Sequence, residues 1–171
     1  MKRPFHEQTM NTTMNTTSQS PLYFDDLKVG DNFVTDTFEL TAEQIKSFAQ
    51  QFDPQPFHLD EAAARQTMFG GLAASGWHTA AITMRLLVTS GPPLVNGMLG
   101  AGGEIEWNAP TRPGDVLHVE SEVLSLIPSR SRPERGIAVL RSKTLNQRGE
   151  IVQTLTAKLV VSTRQGPTSS S

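Results

Sequence analysis

The sequence predicts an α+β domain in which an antiparallel sheet wraps around one long buried helix. Three observations lead there. Residues Gly76 to Thr89 are apolar at Trp77, Ala80, Ala81, Ile82, Met84, Leu86, Leu87 and Val88, with Arg85 as the one formal charge. Apolarity nearly all round a helix is the mark of a helix inside a core. After it the hydrophobic period changes to two, and four strand-type runs follow one another. Runs of helices and then strands argue α+β with an antiparallel sheet rather than an alternating parallel one.

The elements follow in order. Residues 1–20 are polar, with a near-repeat of Met-Asn-Thr-Thr, and are expected to form a disordered tail, as is 165–171. The domain is expected to span 21–164. Phe33 to Leu40 alternates and is rich in β-formers, which predicts the first strand. Thr41 with Gln44 three residues on gives a capping box, and Ile45, Phe48, Ala49 and Phe52 recur at helical spacing, so Ala42 to Gln51 is read as a helix. Asp53-Pro54 should stop it, because a residue before proline is pushed out of the α region. Pro54-Gln55-Pro56 is then expected to be a stiff, non-helical loop carrying Asp53 and His58. Asp60 is read as the cap of a short helix, Glu61 to Gln66, and Ser75 as the cap of the long one. Met98 to Trp107, Val116 to Ile127, Ile137 to Leu145 and Ile151 to Val161 are the later strands. Asn146-Gln147-Arg148-Gly149 is a hairpin signal between the last two. Without a second helical layer, dimerisation through the sheet is expected.

Composition narrows the function classes. The chain has 171 residues and a formal net charge of −2, with a pI near 6.1, so nothing electrostatic argues for nucleic acid or an anionic membrane surface as partner. It contains no cysteine, which removes disulfides, thiolate nucleophiles and cysteine-ligated metals. No apolar run approaches the roughly 20 residues of a membrane-spanning helix. The N-terminal Lys-Arg pair precedes no apolar stretch, so the expected location is the cytosol.

Two stretches carry candidate chemistry. Asp53 and His58 lie on one short loop with two prolines between them. Such a pair can hold a water by two hydrogen bonds, one group accepting its proton while the other orients it. Taken alone the pair does not decide, since Asp before Pro is a common turn residue and a loop histidine is commonly solvated. The second stretch, Ala74-Ser75-Gly76-Trp77-His78, opens the long helix. The first amides of a helix lack intrahelical partners and sit at the positive end of its dipole. Glycine there lets an oxygen approach the backbone closely, a geometry suited to an oxyanion. Trp77 and Met84 are read as core, and His78 as a satisfied core histidine. His58, Asp60 and His78 match no standard metal-ligand spacing, and no metal is expected.

Asp53-Pro54-Gln55-Pro56-Phe57-His58-Leu59-Asp60 followed by Phe69-Gly70-Gly71-Leu72-Ala73-Ala74-Ser75-Gly76 resembles the MaoC-like dehydratases, or R-specific enoyl-CoA hydratases, whose motif reads roughly D-x-x-P-x-H-x-D. Leu27 to Asp31 resembles that family's entry segment, and Asn108 to Asp115 its P-x-x-P-G-D turn. The resemblance runs from about Asp25 to Val161. It implies a hotdog fold, and a homodimer or a dimer of dimers. It implies reversible syn hydration of a trans-2-enoyl thioester to an (R)-3-hydroxyacyl thioester, with Asp53 and His58 activating the water and the Gly76 amide polarising the thioester carbonyl. Ser75, Phe57, Phe69 and Gly71 are then expected to line the substrate site, with Phe52, Met68 and Leu72 as further wall candidates. An acyl-CoA, or an acyl-carrier thioester, would be the substrate, and no cofactor is implied because the thioester itself acidifies the α-proton. Arg112, or Arg130, Arg132 and Arg135, are candidates for meeting CoA phosphates. Many members carry Asn at the position of Gln55 and His at that of Ser75, differences that bear on substrate choice. A hotdog thioesterase and a non-catalytic acyl-CoA-binding module are the alternatives.

Overall fold

A computed structural model describes residues 20–164. The expectations for the two tails concern segments that lie outside these residues, apart from Ser20. A 3-10 turn at Phe24–Asp26 leads into β1 (Asn32–Val34) and β2 (Phe38–Glu39). Four helices follow: α1 (Ala42–Phe52), α2 (Pro56–Leu59), α3 (Glu61–Arg65) and α4 (Gly76–Ser90). The remaining strands are β3 (Leu99–Trp107), β4 (Val116–Pro128), β5 (Arg135–Leu145) and β6 (Ile151–Ser162). They pair antiparallel in the order β1-β4-β5-β6-β3, with β2 also on β4. The predicted α+β class, with a long helix against a curved sheet, is the architecture observed.

Side-chain alternation explains which face of the sheet is inside. Along β5, Gly136, Ala138, Leu140, Ser142 and Thr144 are buried while their neighbours are half-exposed. Ile82, Leu86 and Leu87 of α4 pack with Leu40, Ile45, Leu72, Leu117, Val119 and Val152. A second cluster, Phe24, Leu27, Leu94, Val123, Ala138, Leu140, Leu159 and Val161, closes the other end. Gly136 is needed there: a Cβ would stand 2.4 Å from the Phe24 ring. The interior also contains a polar seam. Thr83 Oγ1 on α4 lies 2.6 Å from Thr144 Oγ1 on β5 and accepts from Gln153 Nε2 on β6 at 3.0 Å, with all three residues fully buried. These groups satisfy one another, which is the condition for tolerating them in a core.

Three elements of the fold depart from the sequence expectations. The single strand expected over Phe33 to Leu40 is broken in two. At the break the Thr35 hydroxyl accepts the Val119 N–H at 2.9 Å, so a side chain takes over part of the ladder. The chain then bows outward, where Asp36 N–H meets Ser90 Oγ at 2.9 Å. Secondly, the segment after Asp53 is partly helical. Pro56 is the first residue of α2, a position where its missing N–H and fixed φ suit a helix. Thirdly, α4 is not buried all round. Trp77, Met84 and Val88 are 60%, 45% and 58% exposed, forming an apolar stripe along its outer side. The edge strand β3 beside it is also largely exposed.

Candidate active site

The end of α1 places the first candidate group. The capping box at Thr41 holds: Gln44 N–H donates to Thr41 Oγ1 at 3.2 Å, and Thr41 N–H to Gln44 Oε1 at 2.9 Å. Twelve residues after Thr41, Asp53 ends the helix, its N–H still donating to Ala49 O at 3.0 Å while its backbone leaves the α region. The single turn of α2 then brings His58 back. Its Nε2 stands 3.3 Å from Asp53 Oδ2, although the histidine is buried and the carboxylate reaches the surface.

The tautomer of His58 follows from its other nitrogen. Nδ1 lies 2.7 Å from the Ala73 carbonyl oxygen. A carbonyl can only accept, so Nδ1 carries a hydrogen and, in the neutral ring, Nε2 presents its lone pair. Asp53 Oδ2 and His58 Nε2 are therefore two acceptors facing one small volume. Ala73 is itself fixed, since its N–H donates to Phe57 O at 3.3 Å and the next amide, Ala74 N–H, to Thr111 O at 2.9 Å.

Asp53 is also held electrostatically. Burial pushes its carboxyl up, but hydrogen bonding from the Ser75 hydroxyl and the Gln55 amide, joined by the His58 charge when that ring is protonated, outweighs this and holds it below the ordinary aspartate value. The Gln55 Nε2–H donates to Asp53 Oδ1 at 2.7 Å. Gln55 and Ser75, where the motif departs from the MaoC-like pattern it resembles, are thus the side chains that act on the candidate base, Gln55 by a direct hydrogen bond and Ser75 by lowering its pKa.

Ser75 also caps α4, its Oγ accepting from Trp77 N–H at 3.2 Å. Gly76 occupies the first helical position, where an amide has no intrahelical acceptor. Its lack of a side chain is required sterically: a Cβ would lie 2.5 Å from Trp107 Cε2 and 2.8 Å from Trp107 Nε1. The Trp107 indole N–H donates to Gly76 O at 2.9 Å and to Gln153 Oε1 at 3.1 Å.

These groups border one cavity of about 500 Å³. Asp53, His58, Ser75, Gly76, Phe57 and Phe69 all line it. Gly71 does not; its carbonyl instead accepts from Arg112 Nη1 at 2.8 Å. Among the further wall candidates, Leu72 is in the core, Met68 is 97% exposed, and Phe52 faces a separate groove. Trp77, read from sequence as core, lines the cavity mouth edge-on to Trp107, with ring centroids 5.2 Å apart.

Sequence reasoning missed the far wall, formed by Trp107, Asn108, Ala109, Pro110 and Thr111 together with Thr79. Thr79 was accessible from spacing, since it follows Gly76 by one helical turn. Its hydroxyl donates to Thr111 Oγ1 at 3.0 Å. The basic candidates for phosphate contact are placed otherwise. The Arg112 guanidinium is engaged by backbone carbonyls, donating to Gly71 O, to Leu72 O at 3.2 Å and to Phe69 O. Arg130, Arg132 and Arg135 sit at the opposite end of β4 from the cavity. His78 also differs from expectation. It is buried and stacked on Phe48 at 4.5 Å, and burial lowers its pKa, but its Nδ1 has no hydrogen-bond partner among the described residues. Among those residues no group of three or more His, Asp or Glu has the arrangement of a metal site.

Comparison with known proteins bears on the family and the fold. The family model described as MaoC like domain matches residues 26–143. The solved structure of a MaoC-like dehydratase from Rhodospirillum rubrum is 63% identical, with a TM-score of 0.83 over 84% of this chain and 99% of that one. The unliganded R-hydratase PhaJ1 from Pseudomonas aeruginosa is 26% identical, with a TM-score of 0.68 over 85% of this chain and 88% of that one. A 3-hydroxybutyryl-CoA dehydratase from Methylorubrum extorquens is 36% identical over 112 residues, 65% of this chain and 69% of that protein. With its antiparallel sheet, its long helix and the matched segment that carries Asp53, His58 and Gly76, the chain belongs to the MaoC-like dehydratase family and has the hotdog fold.

Proposed function

We propose that the protein catalyses reversible syn hydration of a trans-2-enoyl thioester, with an acyl-CoA as the substrate. The observation that carries this reading is the pair of acceptors, Asp53 Oδ2 and His58 Nε2, set 3.3 Å apart on one cavity with the opening amide of α4. A water seated over the pair, within hydrogen-bond reach of both, donates one hydrogen to each, which turns an oxygen lone pair toward the cavity. In the reaction the water oxygen bonds to C3 as one of its protons passes to the Asp53/His58 pair. The C2=C3 π electrons move to C2 and the thioester oxygen, where the Gly76 N–H stabilises the enolate charge. The enolate then collapses as the Asp53/His58 pair returns that proton to C2 on the same face, which restores the pair. The sum is one water added across one double bond, and the product is the (R)-3-hydroxyacyl thioester. The family match and the similarity to an R-hydratase and a 3-hydroxybutyryl-CoA dehydratase support this class of reaction. The chemistry draws on no redox group or metal, because the thioester already acidifies the α-position.

The apolar stripe of α4 and the exposed β3 edge support a homodimer as the working form. Light scattering coupled to size exclusion checks that mass directly.

The activity test follows the enoyl thioester absorbance on adding enzyme to short enoyl-CoAs. Wild type is expected to consume it without releasing thiol, whereas Asp53→Asn and His58→Gln lower turnover at least 10²-fold with folding intact. Thiol release without loss of the double bond would replace this reading with a thioesterase. Undiminished hydration in either variant would remove that residue from the mechanism.

A further inference from the structure

Gly76 poses a positioning problem. Its amide is the candidate donor to the enolate, but it stands in the first turn of a helix without an intrahelical acceptor, and glycine restricts its own backbone least of all residues. A donor that swings by tens of degrees loses most of the value of an oxyanion site, which depends on groups held in place beforehand.

We infer that Trp107 is the positioning residue for this donor, and that Trp107 is in turn held by the buried polar seam through Gln153 and Thr83. The inference rests on the hydratase reading of the cavity. Three observations carry it. The indole ring covers the Gly76 α-carbon so closely that a Cβ there would come within 2.5 Å of it. The indole N–H donates to the Gly76 carbonyl at 2.9 Å, fixing the peptide on the far side of that α-carbon. The same N–H is shared with Gln153 Oε1 at 3.1 Å, and Gln153 Nε2–H donates to Thr83 Oγ1 at 3.0 Å. Thr83 Oγ1 meets Thr144 Oγ1 and also donates to Thr79 O at 2.9 Å on its own helix. The seam thus ties the backbone carbonyl of Gly76, at the opening of α4, to β3, β6 and β5 through the side chains of Trp107, Gln153, Thr83 and Thr144. Gln153 and Thr83 are fully buried and line no part of the cavity, so they act through Trp107 rather than on substrate.

The test uses the full chain and two readouts. The protein has two tryptophans, so ¹⁵N-labelled protein gives two indole N–H signals, and the one lost in Trp107→Phe belongs to Trp107. That signal should exchange slowly with solvent, and the Gly76 amide should shift and exchange faster in Trp107→Phe. In steady-state assays on a short enoyl-CoA, Trp107→Phe should lower kcat by about 10- to 10²-fold, below the 10²–10³ of deleting a whole donor, with KM within about threefold. Thr83→Val, remote from the cavity, should lower kcat in the same sense by several-fold. Thr83→Ser, which keeps the hydroxyl, should restore it. A fast-exchanging Trp107 signal, an unshifted Gly76 amide or an unchanged kcat in Trp107→Phe overturns the inference. Equal losses in Thr83→Val and Thr83→Ser overturn the role of the seam. If wild type does not hydrate enoyl-CoAs, the reaction assignment fails, while the two amide measurements still decide whether Trp107 fixes Gly76.

Discussion

Replacing Gly76 by alanine isolates the contact on which the site's electrophilic half depends. On propensity alone the change should help, by up to about 0.5–1 kcal/mol in a helix. The structure reverses that sign. The new Cβ would lie 2.5, 2.7 and 2.8 Å from three atoms of the Trp107 ring, closer than real Cβ contacts allow. Forcing a methyl into packed surroundings costs about 1–3 kcal/mol. Moving the indole aside also loses its hydrogen bond to Gly76 O, about 1 kcal/mol net. With the propensity gain subtracted, Gly76→Ala should destabilise by about 1–3 kcal/mol. Urea unfolding at fixed protein concentration reads this as a midpoint lowered by roughly 0.5–1.5 M for an m-value of about 2 kcal/mol/M. The decisive comparison is the double-mutant cycle with Trp107→Ala, which empties the space the methyl would enter. There Gly76→Ala should cost nothing or stabilise slightly, giving a coupling of about 2 kcal/mol. An equal penalty in both backgrounds would refute the claim that Trp107 is what demands glycine at this position.

Two further predictions follow from the same site. Arg112→Met removes the donor to the carbonyls of Phe69, Gly71 and Leu72 and should destabilise by about 2–4 kcal/mol, with Arg112→Lys recovering less than half because an ammonium cannot span three carbonyls; thermal and urea unfolding measure both. Ser75→Ala should move the Asp53 carboxyl titration upward, followed by ¹³C NMR of labelled aspartate, since it deletes one of the hydrogen bonds holding that group below its ordinary value. The sign for stability is that of a depressed carboxylate. The stabilisation is present above the unfolded pKa, about 4, and is lost as pH falls through the folded value. The Ser75→Ala penalty should therefore shrink in acid toward that of the lost helix cap alone, about 1 kcal/mol.

How much of this was legible in the sequence depends on the range of the interaction. Local signals read true. The capping box at Thr41, the Ser75 cap, the Asp60 cap on Ala63 N–H at 2.7 Å and the turn at Asn146–Gly149 each involve residues two to four positions apart. Period-two alternation located the long strands for the same reason. The strand break at Thr35 was hidden because its cause is a hydroxyl meeting an amide 84 residues away. The Asp53/His58 loop and the Gly76 helix start were visible as chemical types, and the structure brings them to one cavity. The partners that orient them were not. Trp107 approaches Gly76 across 31 residues, and Ala73 offers His58 a backbone oxygen, for which no side-chain pattern exists. Arg112 looked like a solvent-facing phosphate contact because its acceptors, three carbonyls, carry no sequence signature. Apolar composition likewise could not tell a helix buried all round from one with an exposed stripe.

The Arg112 clamp has a consequence for recognition. Between α3 and α4, residues 66–75 lack regular secondary structure, yet they deliver the Ala73 carbonyl and the Ser75 hydroxyl to the site. Fixing such a stretch costs roughly 1–2 kcal/mol of conformational entropy per residue. One guanidinium, gathering the carbonyls of Phe69, Gly71 and Leu72, helps meet that cost when the chain folds, before any thioester arrives. An incoming substrate then need not order this stretch, so that part of its binding energy remains available for the acyl group and the transition state.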